Sequence, residues 1–295
     1  MTILDYSIFG IYMLAENTYD RIEKFHDATI QHGSLNDRIY LMKIGAADPA
    51  VLVRQLDQLA AENGYSKIFA KIPANLADDF IQKGYEQEAC IPLFYNGEVD
   101  GLFLAKYSER KRGLLENRAE LDKIISLARS KAGSGTRNDL PAGSLIRTCG
   151  ADDAEEMSNV YREVFPSYPF PIDDASYLRA TMESHIRYFA VELEGKLLAL
   201  SSAEMDRGAS NVEMTDFATL PEWLGNGFAA HLLARMDSEM ESAGFKTAYT
   251  IARAVSPGMN ITFAKMGYRC GGLLKNNTNI SGQIESMNIW FKPLE

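Results

Sequence analysis

The stretch Glu213-Met-Thr-Asp-Phe-Ala-Thr-Leu-Pro-Glu-Trp-Leu-Gly-Asn-Gly-Phe-Ala-Ala-His-Leu-Leu233 decides how the rest of the chain is read. Residues 211–219 have the composition of a strand, and Pro221 breaks it. A turn built on Gly225 and Gly227 then opens an amphipathic helix, expected over about 227–243. Glycine carries no Cβ, so at these two positions the backbone can come close to a ligand. The free N–H groups of a helix start face whatever occupies such a turn, and an anion suits them best.

Around this segment the elements alternate. A strand is expected over 145–148, and a helix starts at Asp152 or Asp153 and runs to about 165. The proline-rich loop 167–171 leads to a second helix over about 174–184. A hairpin of 188–193 and 196–205 follows, turning at Glu194-Gly195. Beyond the central helix come a strand over 247–251, a short helix over 260–265 and a last strand over 284–291. The order β-α-α-β-β-β-α-β-α-β describes an α/β fold, a mixed sheet with helices on its faces. Upstream, 131–144 is rich in Gly, Ser and Pro and reads as a linker. A helix is expected just before it, over 108–130, with Leu114, Leu115, Leu121, Ile124, Ile125 and Leu127 buried. The expected division is therefore a first α/β domain over 1–130 and a second domain over 145–295.

The two parts echo each other. Gln58-Leu-Ala-Ala-Glu-Asn-Gly-Tyr65 resembles Ser238-Glu-Met-Glu-Ser-Ala-Gly-Phe245, and Phe80-Ile-Gln-Lys-Gly-Tyr85 resembles Phe263-Ala-Lys-Met-Gly-Tyr268. The offsets nearly agree: 244 − 64 = 180 and 263 − 80 = 183. A decayed duplication is the expectation, with the first half lacking a glycine turn at the matching helix start.

Composition narrows the function. The 295 residues are 46% hydrophobic and 24% charged, as in ordinary globular proteins. The net charge is −10, most of it contributed after residue 145. Such a surface repels phosphate backbones, which argues against nucleic acid as a partner, and it attracts amines. Cys90, Cys149 and Cys270 match no metal-ligand spacing and read as buried thiols of a reducing cytosol. No metal site is expected. Neither a leader nor an apolar run of roughly 20 residues is evident, so a cytoplasmic protein without a membrane partner is expected.

Three ligands compete for the glycine turn. A P-loop needs Gly-Lys-Ser/Thr, which is absent. Gly225-Asn-Gly-Phe-Ala-Ala230 satisfies the dinucleotide pattern, yet the next strand ends at Ile251-Ala-Arg253 without the carboxylate that would hold a ribose. The pyrophosphate of coenzyme A, and a turn that only allows close packing, both stay open on these residues alone. Leu224-Gly-Asn-Gly-Phe-Ala229, preceded by Pro221-Glu-Trp223, resembles the acyl-CoA motif of the GNAT superfamily of N-acetyltransferases. The strand, helix and hairpin order from 145 to 295 agrees with it.

That resemblance implies a GNAT fold, with acetyl-CoA as co-substrate. It implies contacts from Phe217, Ala218, Thr219, Leu224, Gly225, Asn226, Gly227, Phe228, Ala229, Asn260 and Phe263. Two positions depart from the family pattern. Leu224 stands where Arg or Gln is usual, and Phe263 where many members have the Tyr that protonates the departing thiolate. A thiol of pKa near about 8.5 still leaves without it. An attacking ammonium has a pKa near about 10.4, so a base is needed at neutral pH. Glu213, on the strand before the turn, is the expected base. Asp216 lies on the opposite face of that strand unless a bulge intervenes. Tyr168, Phe170, Glu204 and Asp216 are candidate acceptor-pocket residues, and Arg179 or Arg187 could hold an acceptor carboxylate.

Over its full length the chain resembles the β-lysine N-acetyltransferases. The likeness rests on Tyr161-Arg-Glu-Val-Phe-Pro-Ser-Tyr-Pro-Phe-Pro171, Met259-Asn-Ile-Thr-Phe-Ala-Lys-Met-Gly-Tyr268, and Asn276-Asn277 followed by Ile284-Glu-Ser-Met-Asn-Ile-Trp290. It implies acetylation of the distal amine of β-lysine to a zwitterionic compatible solute. An acetyltransferase for a protein lysine or a polyamine, and a non-catalytic acyl-CoA-binding module, stand as alternatives. A homodimer is compatible with all three.

Overall fold

The computed structural model describes residues 19–136 and 139–294. The first half runs β1 Arg21–Phe25, β2 Ala28–Gly33, β3 Arg38–Lys43, α1 Pro49–Asn63, β4 Lys67–Pro73, α2 Asp78–Gln82, β5 Glu86–Tyr95, β6 Val99–Tyr107 and α3 Arg118–Arg129. The second half runs β7 Leu145–Thr148, α4 Ala154–Val164, α5 Ala175–Met182, β8 Ile186–Leu193, β9 Lys196–Asp206, β10 Asn211–Thr219, α6 Phe228–Ser242, β11 Thr247–Arg253, α7 Pro257–Lys265, β12 Arg269–Ile280 and β13 Gln283–Pro293.

The 13 strands of the described residues form one sheet, in the order β1-β2-β3-β4-β6-β5-β12-β13-β11-β10-β9-β8-β7. Apart from the outermost β7, which has no counterpart, β1-β2-β3-β4-β6-β5 and β8-β9-β10-β11-β13-β12 have the same pairing scheme from the outside inward. Among the described residues each half has a single parallel pair, β3 with β4 and β10 with β11. The echoed glycines fall on equivalent elements. Gly64 and Gly244 close α1 and α6 at φ 71° and 84°, and Gly84 and Gly267 follow α2 and α7 at 86° and 87°.

The halves meet where β12 pairs β5, with Gly272 opposite Ala89. The strands come so close there that a Cβ on Gly272 would lie 2.3 Å from the Glu88 carbonyl oxygen, and one on Gly271 2.7 Å from that of Cys90. Side chains of the first half grip the backbone of β12. Lys67 Nζ donates to the Lys275 carbonyl at 2.7 Å, while Arg112 Nε donates to that of Asn276 at 2.8 Å. Arg38 donates to the carbonyl of Asn277 and to Thr278 Oγ1.

Strand β12 is the element missing from the sequence-based order. Gly271, Gly272, Asn276 and Asn277 give it a turn-like composition, and register shifts interrupt its ladder with β13. Two helices also differ from expectation. The segment 108–130 is a short 3-10 turn followed by α3, and Leu114 and Leu127 are exposed. Helix α7 starts at Pro257, three residues early, because Ser256 Oγ caps the Met259 N–H and proline fits the first turn. Of the cysteines, Cys149 is buried, whereas Cys90 and Cys270 are only half-buried.

Helices α4 and α5 cover one face of the second half, with Met157, Tyr161 and Leu178 in that core. The opposite face packs on α6 and α7 through residues such as Leu232, Met236 and Phe263. In the first half, α1 and α2 cover the face carrying Ile39, Leu41, Ile68 and Ile72. The alternate residues of β3 and β4, such as Tyr40 and Phe69, join Tyr249, Met287 and Ile289 in a cluster shared by both halves. That shared face borders the site.

Candidate active site

Strands β10 and β11 pair only over Asn211 to Glu213 with Thr247 to Tyr249, though both continue well beyond. They part because β10 bulges between Thr215 and Ala218, with Asp216 at φ 53°. Past Glu213, the facing edges of the two strands therefore carry backbone groups without ladder partners, and these wall a cleft. At its mouth lies the glycine turn, with Gly225 at φ 87° and Gly227, the residue that caps α6, at φ 77°. A Cβ on either glycine would meet no protein atom within 4 Å, so the turn faces open space. The first N–H groups of α6 have no acceptor within the helix and are available to an anion there.

The cleft opens into a cavity of about 790 Å³. Among the residues expected at the site, Phe217, Thr219, Leu224, Gly225, Gly227, Phe228, Ala229 and Phe263 line it, as do Glu213, Tyr168, Phe170, Glu204 and Asp216. Three others are not brought there. Ala218 is buried against α4 and α5. The Asn226 amide donates to the Trp223 carbonyl at 2.9 Å, within the turn. Asn260 is fully buried. Its amide donates to the carbonyls of Arg253 and Ser256, and its Oδ1 accepts from Asn288 and from Trp290 Nε1, both at 2.8 Å. It ties α7 to β11 and β13. Phe263 packs edge-on against Phe217, and the nearby Tyr268 hydroxyl donates to Asp237 at 2.6 Å.

Glu213 and Glu204 face each other directly across the ladder of β10 and β9. Burial, then the neighbouring Glu204 charge, push the Glu213 carboxyl up to about 7, against the opposing pull of Lys71 and a hydrogen bond from Tyr249. Glu204 is itself desolvated, but His185, 3.7 Å away, and the charges of Lys71 and Lys43 outweigh that and hold it below the ordinary range. The two carboxyls therefore titrate apart, and Glu213 is the one that gives up its proton last, near neutrality. The bulge turns Asp216 into the cavity, where it accepts hydrogen bonds from Tyr168 Oη and Ser202 Oγ, each at 2.6 Å. Burial raises its pKa as well.

The first half forms much of the cavity wall. Arg38, Tyr40, Phe69 and Lys71 all face it. Lys71 Nζ donates to Tyr249 Oη at 2.9 Å, and Lys43 pairs with Asp206 at 3.1 Å. Neither arginine suggested for an acceptor carboxylate is there. Arg179 binds Glu155 at 2.9 Å, and Arg187 binds Glu239 at 2.7 Å. The signal that could have pointed to the first half is the alternation of charged and aromatic residues in Arg38-Ile-Tyr-Leu-Met-Lys43 and Lys67-Ile-Phe-Ala-Lys71. It marks a polar strand face without naming what that face meets.

Residues 154–268 match the Acetyltransferase (GNAT) family. The chain is 39% identical to the β-lysine N(6)-acetyltransferase of Methanococcus maripaludis over 92% of its length and 98% of the relative's. It is 32% identical to the Methanosarcina mazei protein of the same name, over 81% of the chain and 95% of that protein. The chain belongs to the β-lysine N6-acetyltransferase family of GNAT enzymes. It is also 28% identical to the N-acetyltransferase YodP of Bacillus subtilis, over 90% of the chain and 96% of that protein. It is therefore an acetyl-CoA-dependent N-acetyltransferase with a GNAT fold. Among the described residues, no helix is long and apolar enough to cross a membrane.

Proposed function

We propose that the enzyme transfers the acetyl group of acetyl-CoA to the distal amine of β-lysine, in the cytoplasm, giving N6-acetyl-β-lysine, a compatible solute. One observation carries the substrate assignment. The acceptor side of the cavity is built partly from the first half, and the likeness to the Methanococcus enzyme extends over that half too. The doubled strand scheme supports a duplicated transferase, divided at a linker over 131–144, whose first copy lost its CoA turn and became a wall of the acceptor pocket.

The residues suggest a division of labour. The pyrophosphate of CoA sits on the turn Leu224 to Ala229. The pantetheine arm lies between β10 and β11, where Phe217, Thr219 and the unpaired backbone can meet its amides. Phe263 closes the apolar side of the thioester. Glu213 takes a proton from the ammonium, and the freed nitrogen attacks the thioester carbon. The C–S bond then breaks, and the thiolate takes the second nitrogen proton. Tyr168, held by Asp216, and Phe170 bound the acceptor channel, while Glu204 holds positive charge nearby.

The test compares kcat/KM for β-lysine, α-lysine, spermidine and a lysine peptide by thiol release from acetyl-CoA. β-Lysine is expected to lead by at least about tenfold, or about 1.4 kcal/mol. A panel with no such preference would leave only the general transferase activity.

A further inference from the structure

Arg38 on β3 is the least expected charge in the cavity wall. It is 4% exposed, yet it has no ion-pair partner among the described residues. Its guanidinium donates to the Asn277 carbonyl and to Thr278 Oγ1, and it lies 5.5 Å from the Tyr40 ring and 5.7 Å from that of Phe69. Neutral acceptors and rings leave the charge without a direct counter-ion, although the charge of Asp20 favours it, and an unpaired buried charge is costly. Nε has no acceptor at all.

Two further polar atoms beside it are unmet. Gln31, opposite Tyr40 on β2 and 1% exposed, contacts Arg38 through Oε1 at 3.5 Å, but its Nε2 has no partner. Asn277 on β12, also 1% exposed, has no donor to Oδ1. All three residues line the cavity. A wall with two idle donors around a buried cation, and an idle acceptor next to them, matches an anionic group with an ammonium close by.

We infer that Arg38, assisted by Gln31, anchors the carboxylate of the amino-acid acceptor and that Asn277 Oδ1 receives its β-ammonium. This rests on the β-lysine assignment above and adds the residues that select for it. Tyr40 connects the two groups: it shares the cavity with Glu213 and Glu204 and feels both charges, and the Arg38 guanidinium lies 5.5 Å from its ring. An acceptor whose distal amine meets Glu213 therefore lies along Tyr40 and Phe69 with its carboxylate at Arg38. Burial pulls the guanidinium down only to about 10, so it stays charged at neutral pH. The first half then serves as the enzyme's specificity device: it reads the end of the substrate that does not react.

The experiment pairs Arg38→Gln and Arg38→Lys with two acceptors, β-lysine and 1,4-diaminopentane, which is β-lysine without its carboxylate. Removing one partner of a desolvated charge pair is expected to lower kcat/KM for β-lysine by about 10²-fold in Arg38→Gln, mainly through KM. Arg38→Lys should fall between that variant and the parent enzyme. With 1,4-diaminopentane, kcat/KM should change by less than about threefold, and acetyl-CoA affinity should be unchanged. An equal loss on both acceptors would assign Arg38 a structural role and overturn the inference, as would an unchanged kcat/KM for β-lysine. If the parent enzyme itself shows no preference in the amine panel, it is the substrate assignment that fails. A parent that passes the panel, with Arg38→Gln still selective, sinks the anchor alone.

Discussion

Replacing Glu213 by Gln keeps the shape of the side chain and removes the proton acceptor. At pH 7 only about one in 10³–10⁴ alkyl-ammonium groups is neutral, given a pKa near about 10.4. A base that makes the whole population usable is therefore worth up to roughly 10³-fold, within the usual span for general bases. The environment of Glu213 supplies much of this. Raising its carboxyl from 4.5 to about 7 brings the proton transfer closer to even by about 3 kcal/mol. Glu213 works deprotonated, so kcat of the parent enzyme should rise with pH up to about 7 and then level. The variant depends on free amine and should keep climbing about tenfold per pH unit toward the amine pKa. The deficit of Glu213→Gln is then constant below about 7, at roughly 10²–10⁴-fold, and shrinks above it. Thiol-release kinetics from pH 5.5 to about 9.5 read this directly. A deficit equal at every pH would refute proton abstraction and leave Glu213 a positioning role.

The same carboxyl should affect stability. Its folded pKa lies above its unfolded one, so ionisation costs stability as pH rises from 4.5 to about 7, and the cost is complete above that. The Tm of Glu213→Gln should gain on the parent across that window, and a gap equal at both ends would count against the raised pKa. Lys71 pulls the Glu213 pKa down, so Lys71→Met should move the acid limb of the kcat profile upward; an unmoved limb would show that its charge does not reach the base. Gly227 sits at φ 77° with open space where a Cβ would point, so Gly227→Val should weaken acetyl-CoA binding by more than about tenfold, or about 1.4 kcal/mol. Unchanged calorimetric affinity in the folded variant would remove the pyrophosphate from that turn.

The glycine turn, the strand before it and the helix after it were legible from residues 211–243 because each depends on local chemistry: proline stops the strand, and glycine takes the positive φ. The repeated Gly-aromatic helix ends likewise carried the doubled layout into view. Local signals failed where long-range pairing overrides propensity. Strand β12 is a strand because β5 and β13 flank it, although its Gly and Asn residues favour turns. The orientation of Asp216 hung on a bulge that no alternation pattern announces. The near-neutral Glu213 needs Glu204 opposite it in register, and register is a property of two strands. What only the tertiary structure decided was the share of the first half in the cavity. Arg38, Tyr40 and Lys71 lie more than a hundred residues from the glycine turn. They reach its cavity because β5 and β12 join two half-sheets into one, and the face of the first half left free by α1 and α2 turns toward the chemistry of the second.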